Sequence, residues 1–403
     1  MNRICLLAVL ALLPFGRRLA TAQDHDLALV GGTIYTSPTA ASLTNATVLI
    51  HGKTIAAVGK RNEIAIPKST RVITCTGKVI TAGFWNSHVH FETGWANAQQ
   101  TEPAKLEAHL QEMLTRWGFT TVWDLGSNPQ NTLTIRKRVE SGEVPGPRIL
   151  MAGDIFPKNG HPVYLPPEMQ LIEAATPDEA AQESRQYMQL GLDGIKLFTG
   201  AFMGNKPVVN MDTAIVKGAV SIAHDERKPV FAHPQNRAGV DSAVGGGVDV
   251  LAHTIPSEMS FTEDEIQAMN AHHVALSPTL TLWTTVVSGE ESQRRMVEYG
   301  VAELKQYSSV GGTILFGTDV GFQSKYDTTQ EYEFMARAMS WREILASLTT
   351  NPSEFFKSPT EGKVEKGMRA DLVVLDGDPA QDVKNFAKVS TTIRDGQVIY
   401  SEQ

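Results

Sequence analysis

With 403 residues, the chain is long enough for one large domain plus a smaller one. Its 42% hydrophobic and 20% charged residues are ordinary for a globular protein. A net charge of −8 and the lack of any basic block argue against nucleic acid as a partner. The first feature in chain order is an apolar run over residues 4–15, too short to span a bilayer comfortably. Arg3 precedes it and Ala20-Thr21-Ala22 follows, the layout of a secretory signal peptide over residues 1–22. Its removal predicts a periplasmic or secreted protein with no stable membrane insertion. Arg3, Arg17 and Arg18 leave with it, and no acidic residue does, so the mature chain is more negative still. Cys5 leaves too, and the lone Cys75 excludes an intrachain disulfide.

Three stretches rich in Val, Ile and Thr follow, over 26–35, 46–58 and 71–81, with Gly or Asn at their bends. Similar stretches return at 370–377 and 392–400. The simplest arrangement is a small β-sandwich built from both chain ends, 23–82 and 358–403, flanking a central domain over 83–357. That centre alternates apolar strands with helical stretches. Eight strand candidates lie at 84–91, 120–125, 148–152, 194–198, 229–232, 248–252, 274–277 and 313–316. Thr176-Pro177-Asp178-Glu179 offers a helix cap, a first-turn proline and a capping-box glutamate, and Gly191 closes that helix. Thr262 with Glu265 and Ser340 with Glu343 repeat the capping-box spacing. Strands alternating with helices imply a parallel sheet, and eight units fit an α/β fold of the closed (β/α)8 TIM-barrel type. The loops over 153–173 and 317–330 would then lie at the same, C-terminal mouth.

A barrel keeps its chemistry at the C-terminal ends of its strands. Strand one ends in His88 and His90, two residues apart and so able to project together. Lys196 lies in strand four, His233 and His253 follow strands five and six, and Asp319 closes strand eight. Four imidazoles and a carboxylate supply borderline nitrogen and hard oxygen donors suited to Zn²⁺ or a similar divalent ion. Lys196 as an ammonium cannot ligate a cation, yet its apolar neighbours Ile195 and Leu197 argue against free solvation. His224, His272 and His273 read as surface or packing residues, and Trp85 and Trp123 as core.

Taken with Gly118-Phe119-Thr120-Thr121-Val122-Trp123-Asp124-Leu125-Gly126, Gly146-Pro147-Arg148-Ile149, Gly317-Thr318-Asp319 and the tail over 365–375, this pattern resembles the amidohydrolase superfamily. Within it, the match is to the imidazolonepropionase-like and Xaa-Pro-dipeptidase-like exported enzymes. The resemblance implies a pair of divalent ions, with His88 and His90 on the first and His233 and His253 on the second. It makes Lys196 a CO2-derived carbamate bridging both, and Asp319 a ligand of the first ion that also moves protons. It gives His161, in the loop after strand three, the role of polarising the scissile carbonyl. Two ions sharing one water would lower its pKa and favour attack on an amide.

The expected reaction is therefore amide hydrolysis in a small peptide or N-acyl amino acid. Lys325, Tyr326 and Arg237 are candidates to hold a substrate carboxylate. A homo-oligomer is left open. One rival is a mononuclear deaminase or cyclic-amide hydrolase, but deaminases of this superfamily usually place a glutamate close behind the strand-six histidine and lack a lysine bridge, whereas here Glu258 lies five residues beyond His253 and Lys196 is present. Another is a non-catalytic binding protein on the same fold. The chain departs from many relatives at Asn86, where they carry an aspartate two residues before the first histidine; an amide there would orient an imidazole more weakly.

Overall fold

The computed structural model describes residues 26–91 and 98–402, and the signal segment expected over 1–22 lies outside them. Seven parallel strands run around a TIM-barrel-like α/β domain: Phe84–Val89, Phe119–Leu125, Arg148–Pro157, Gly194–Leu197, Val230–Ala232, Val250–Leu251 and Ala275–Leu276. The eighth position is taken by the segment over 313–320. Ile314 bridges Leu276 on one side and Val320 bridges Val89 on the other. Ser87 N donates to Phe316 O at 2.7 Å, and Asp319 N donates to His88 O at 2.9 Å. The bridges stay isolated because the segment bends as it closes the ring, with Asp319 itself at φ 59. Trp85, Trp123, Phe231 and Leu315 fill the barrel interior beneath the mouth. Both tryptophans are thus core, as their sequence context implies.

The helix signals hold. Thr176 Oγ1 accepts from Glu179 N to start Pro177–Gln189, and full capping boxes open Glu263–Ala271 and Trp341–Leu348. Each helix buries one face against the barrel, so the strand ends rest on a packed wall.

Both chain ends meet in one eight-stranded mixed sheet. Its order is Gln397–Ser401, Val389–Arg394, Leu372–Leu375, Val79–Ala82, Leu27–Ile34, Leu43–His51 and Thr54–Lys60, with Arg71–Thr74 also pairing with Leu27–Ile34. The stretch expected over 46–58 is two strands of a hairpin, turning at Gly52 with φ 53. Arg148 joins sheet to barrel, its guanidinium lying 3.1 Å from Glu361, 3.2 Å from Asp371 and 3.4 Å from Asp395. Among the described residues, no helix is long and apolar enough to cross a membrane. Cys75 is free and buried.

Candidate metal centre

Strand one delivers its two histidines through a break in its own ladder. Pairing with strand two shifts register between Asn86 and Val89, and the chain there turns both imidazoles into the mouth. His88 is 1% exposed and its Nε2 lies 3.3 Å from Nε2 of His90. Asp319 Oδ1 lies 3.2 Å from the first nitrogen and 2.9 Å from the second. Two glycines permit this closeness. A Cβ at Gly317 would stand 2.9 Å from the His88 Cβ, and one at Gly321 would stand 1.8 Å from the His90 carbonyl oxygen. Asp319 pays for its place with left-handed backbone, a conformation that short polar side chains tolerate best.

The remaining expected ligands surround this trio. The His253 ring lies 4.6 Å from that of His88, and the His233 ring 4.7 Å from that of His253. Lys196, 1% exposed, lines the same cavity as all five. The structure thus gathers His88, His90, Lys196, His233, His253 and Asp319 at one mouth, from five separate strands.

The donor chemistry fits a cation. His88 Nδ1 lies 2.9 Å from the carbonyl oxygen of Ala252, which can only accept, so Nδ1 carries the proton and Nε2 presents a lone pair. His253 Nδ1 lies 2.7 Å from Thr279 Oγ1. That hydroxyl donates in turn to Pro278 O at 2.9 Å, so it accepts from His253, whose Nε2 is also left as a lone pair. Burial, reinforced by Lys196, pushes the His88 imidazole down to about 4 and that of His233 to about 3. Burial and the neighbouring imidazoles hold His253 well below its ordinary value. Burial alone would raise Asp319; the imidazoles of His88 and His90 pull it well below the usual carboxylate range instead. Neutral nitrogens and an anionic oxygen facing one point repel each other unless a proton or a metal cation sits between them. Burial also lowers the Lys196 amine to about 8, with Asp319 and Asp154 acting against it.

Other expectations fare differently. His161 does not line the cavity: its ring nitrogens face the carbonyl oxygens of Pro162, at 3.2 Å, and Met169, at 3.3 Å. Its loop contributes Tyr164, Leu165 and Met169 to the cavity wall instead. Arg237 is held by Glu265 at 2.7 Å and Glu258 at 3.3 Å, which also occupies the glutamate a deaminase would use. Lys325 donates to Gln330, and neither it nor Tyr326 nor Arg237 is among the described lining residues. The three candidate carboxylate holders are therefore not at the cavity. Asn86 orients no imidazole among the described residues. Its Nδ2 donates to Thr318 Oγ1 at 2.8 Å and its Oδ1 accepts from His88 N at 3.2 Å, so it ties strand one to the end of the barrel circuit. His224 sits at the surface, paired with Asp249 at 2.9 Å.

Sequence reasoning missed Thr279, at φ 45 in a region β-branched residues seldom enter, and Glu331, which secures it. The buried Glu331 carboxylate accepts from Leu280 N at 2.8 Å, Thr281 N at 2.6 Å and Thr281 Oγ1 at 2.6 Å. No local motif marks either residue.

Residues 79–399 match the model of the amidohydrolase family. Ochratoxinase from Aspergillus niger is 24% identical over 396 residues, covering 85% of this chain and 80% of that protein. Among solved structures, a prolidase complexed with N-methylphosphonate-L-proline superposes with a TM-score of 0.79 at 23% identity, covering 94% of this chain and 100% of that one. A Xaa-Pro dipeptidase with bound methionine gives a TM-score of 0.77 at 21% identity, covering 94% and 100%.

Proposed function

The chain belongs to the amidohydrolase family, and from that premise we propose that it is an exported, binuclear metal-dependent hydrolase of an amide bond in a small N-acyl substrate, the class that contains short peptides and N-acyl amino acids. The observation that carries this reading is the convergence of His88 Nε2, His90 Nε2 and Asp319 Oδ1 within 3.3 Å of one another, in one cavity with Lys196, His233 and His253. His88, His90 and Asp319 would hold one ion and His233 and His253 the other. The borderline nitrogen donors favour Zn²⁺.

Lys196 would bridge the pair. Its buried amine, lowered to about 8, loses its proton more easily than an ordinary lysine, and the neutral form adds as a nucleophile to CO2 with loss of one proton to give an anionic carbamate. Two bound divalent ions supply Lewis acidity toward the substrate carbonyl and lower the pKa of water. Asp319, anionic and at the cavity floor, takes the proton from the attacking water and returns it to the amide nitrogen as the C–N bond breaks. Thr279 and Ala252 fix the tautomers of His253 and His88 throughout. Trp283 and Phe322 line the same cavity.

Export rests on the apolar run over 4–15 and on Ala20-Thr21-Ala22. N-terminal sequencing of the periplasmic or secreted protein is expected to begin at Gln23. The terminal sheet would wrap its own core as a small sandwich. Support for this is that Val48, Ile50 and Ile55 from one end of its strand order cluster with Leu372 and Ile393 from the other.

The test is metal analysis of protein prepared without chelators. Two divalent ions per chain are expected, with hydrolysis of an N-acyl library lost on their removal and restored by Zn²⁺. One ion or none overturns the binuclear reading.

A further inference from the structure

The cavity above the metal-ligand cluster has a volume of about 180 Å³ and opens to solvent at its mouth. Above the ligand cluster its wall is mostly aromatic and aliphatic. Phe198 stacks on the His233 ring at 4.8 Å and on Phe156 at 4.0 Å, so an apolar shelf begins at the expected ligands themselves. At the rim, Tyr164, Met169, Phe202 and Val286 are 39%, 38%, 39% and 44% exposed. Large apolar side chains left this open, side by side and around one mouth, mark a binding surface.

Charge is the second, independent observation. Among the described lining residues, Lys196 is the one lysine or arginine, and on the reading above its amine is taken up as a carbamate within the ligand cluster. Asp154 and Asp319 are both acidic, and Gln235 is a neutral polar side chain beside His233. The nearby Arg237 is already paired with Glu258 and Glu265. A carboxylate carried into this wall would lose its water and find no fixed positive partner there.

We infer that the arm of the substrate lying against this wall is neutral and apolar, an aromatic or branched aliphatic group, and that a free carboxylate on that arm is selected against. The inference rests on the amide-hydrolysis reading for the identity of the scissile bond. Within the N-acyl class it disfavours N-acyl amino acids and dipeptides with a free terminus, and favours amides of uncharged amines.

The test is a matched pair differing only in the carboxylate, N-benzoyl-phenethylamine and N-benzoyl-phenylalanine. Binding is read by titration calorimetry on full-length Asp319→Asn protein whose metal content has been measured equal to the parent's, and turnover on the metal-loaded parent. The carboxylate-free compound is expected to bind at least about tenfold tighter. Val286→Arg, a change at an exposed rim position, is expected to narrow that gap about threefold or more by supplying a cation. Equal or tighter binding of N-benzoyl-phenylalanine to the protein with Val286 intact overturns the inference. So does failure of both compounds to bind at 1 mM, and if N-acetylglycine is still hydrolysed the amide-hydrolase reading survives alone. Selective binding of N-benzoyl-phenethylamine with no turnover of any amide upholds the apolar arm and removes the hydrolase reading.

Discussion

Thr279 Oγ1 stands 2.7 Å from His253 Nδ1 and donates its own hydrogen bond to the carbonyl oxygen of Pro278 at 2.9 Å. A hydroxyl committed as a donor elsewhere can only accept from the ring, so one threonine decides which His253 nitrogen is free for a metal. Thr279→Val keeps the side-chain shape and removes that control. Metal affinity is expected to fall about 10- to 100-fold, measured by chelator competition, with an unchanged circular dichroism spectrum. A change of less than about threefold would show that the ring holds its tautomer without help.

Lys196 has the least conventional role, and the sharpest consequence. Lys196→Ala is expected to lower metal content below two ions per chain and abolish turnover, because no other described side chain takes its place between the ion sites. Added short carboxylic acids should restore part of both by occupying the space of the proposed carbamate. Full metal content in the variant would exclude Lys196 as a ligand.

Asp319→Asn keeps the side-chain volume and hydrogen-bonding shape but removes the proton acceptor. We expect a folded protein whose kcat falls by about 10²–10⁴-fold, the ordinary loss for a general acid–base residue. Steady-state kinetics on any amide the parent hydrolyses decides this, and parent-like kcat would transfer the proton role to another group.

Glu331 lies one step further out, holding the strained turn that carries Thr279. Burial pushes its carboxyl up to about 7, above the ordinary 4.5, against the hydrogen bonds it accepts from Thr281 and Leu280. A raised folded-state pKa contributes stability that is complete below about 4.5 and is lost as pH rises through about 7. The advantage of the parent over Glu331→Gln is therefore expected to shrink by about 3 kcal/mol between pH 4.5 and pH 8. Denaturant unfolding of both proteins across that range reads the difference directly; a gap that widens with pH contradicts the assignment.

The six candidate ligands were legible because strand ends are marked by short apolar runs, and a barrel brings strand ends together whatever lies between them. The capping boxes were legible because each is contained within four residues. Thr279 and Glu331 were not. One acts through a backbone angle, and the other through bonds to residues about fifty positions away in the chain. Lys325 and Arg237 look in sequence like carboxylate holders, but charge alone does not tell which partner claims it. Gln330 claims the first, while Glu258 and Glu265 claim the second. Asn86 occupies the place of an expected carboxylate, and its amide serves backbone and hydroxyl partners that no spacing rule anticipates.

The order of the terminal sheet has a temporal meaning. Val79–Ala82 lies between Leu27–Ile34, made early, and Leu372–Leu375, made almost last. Until residue 375 is available, one edge of Val79–Ala82 has no strand to pair with, and Arg148 lacks Asp371 and Asp395. The first strands can pair with one another early, but the sheet they begin is completed only when the chain is nearly finished. For the export proposed above, that delay would keep the chain in a transportable state.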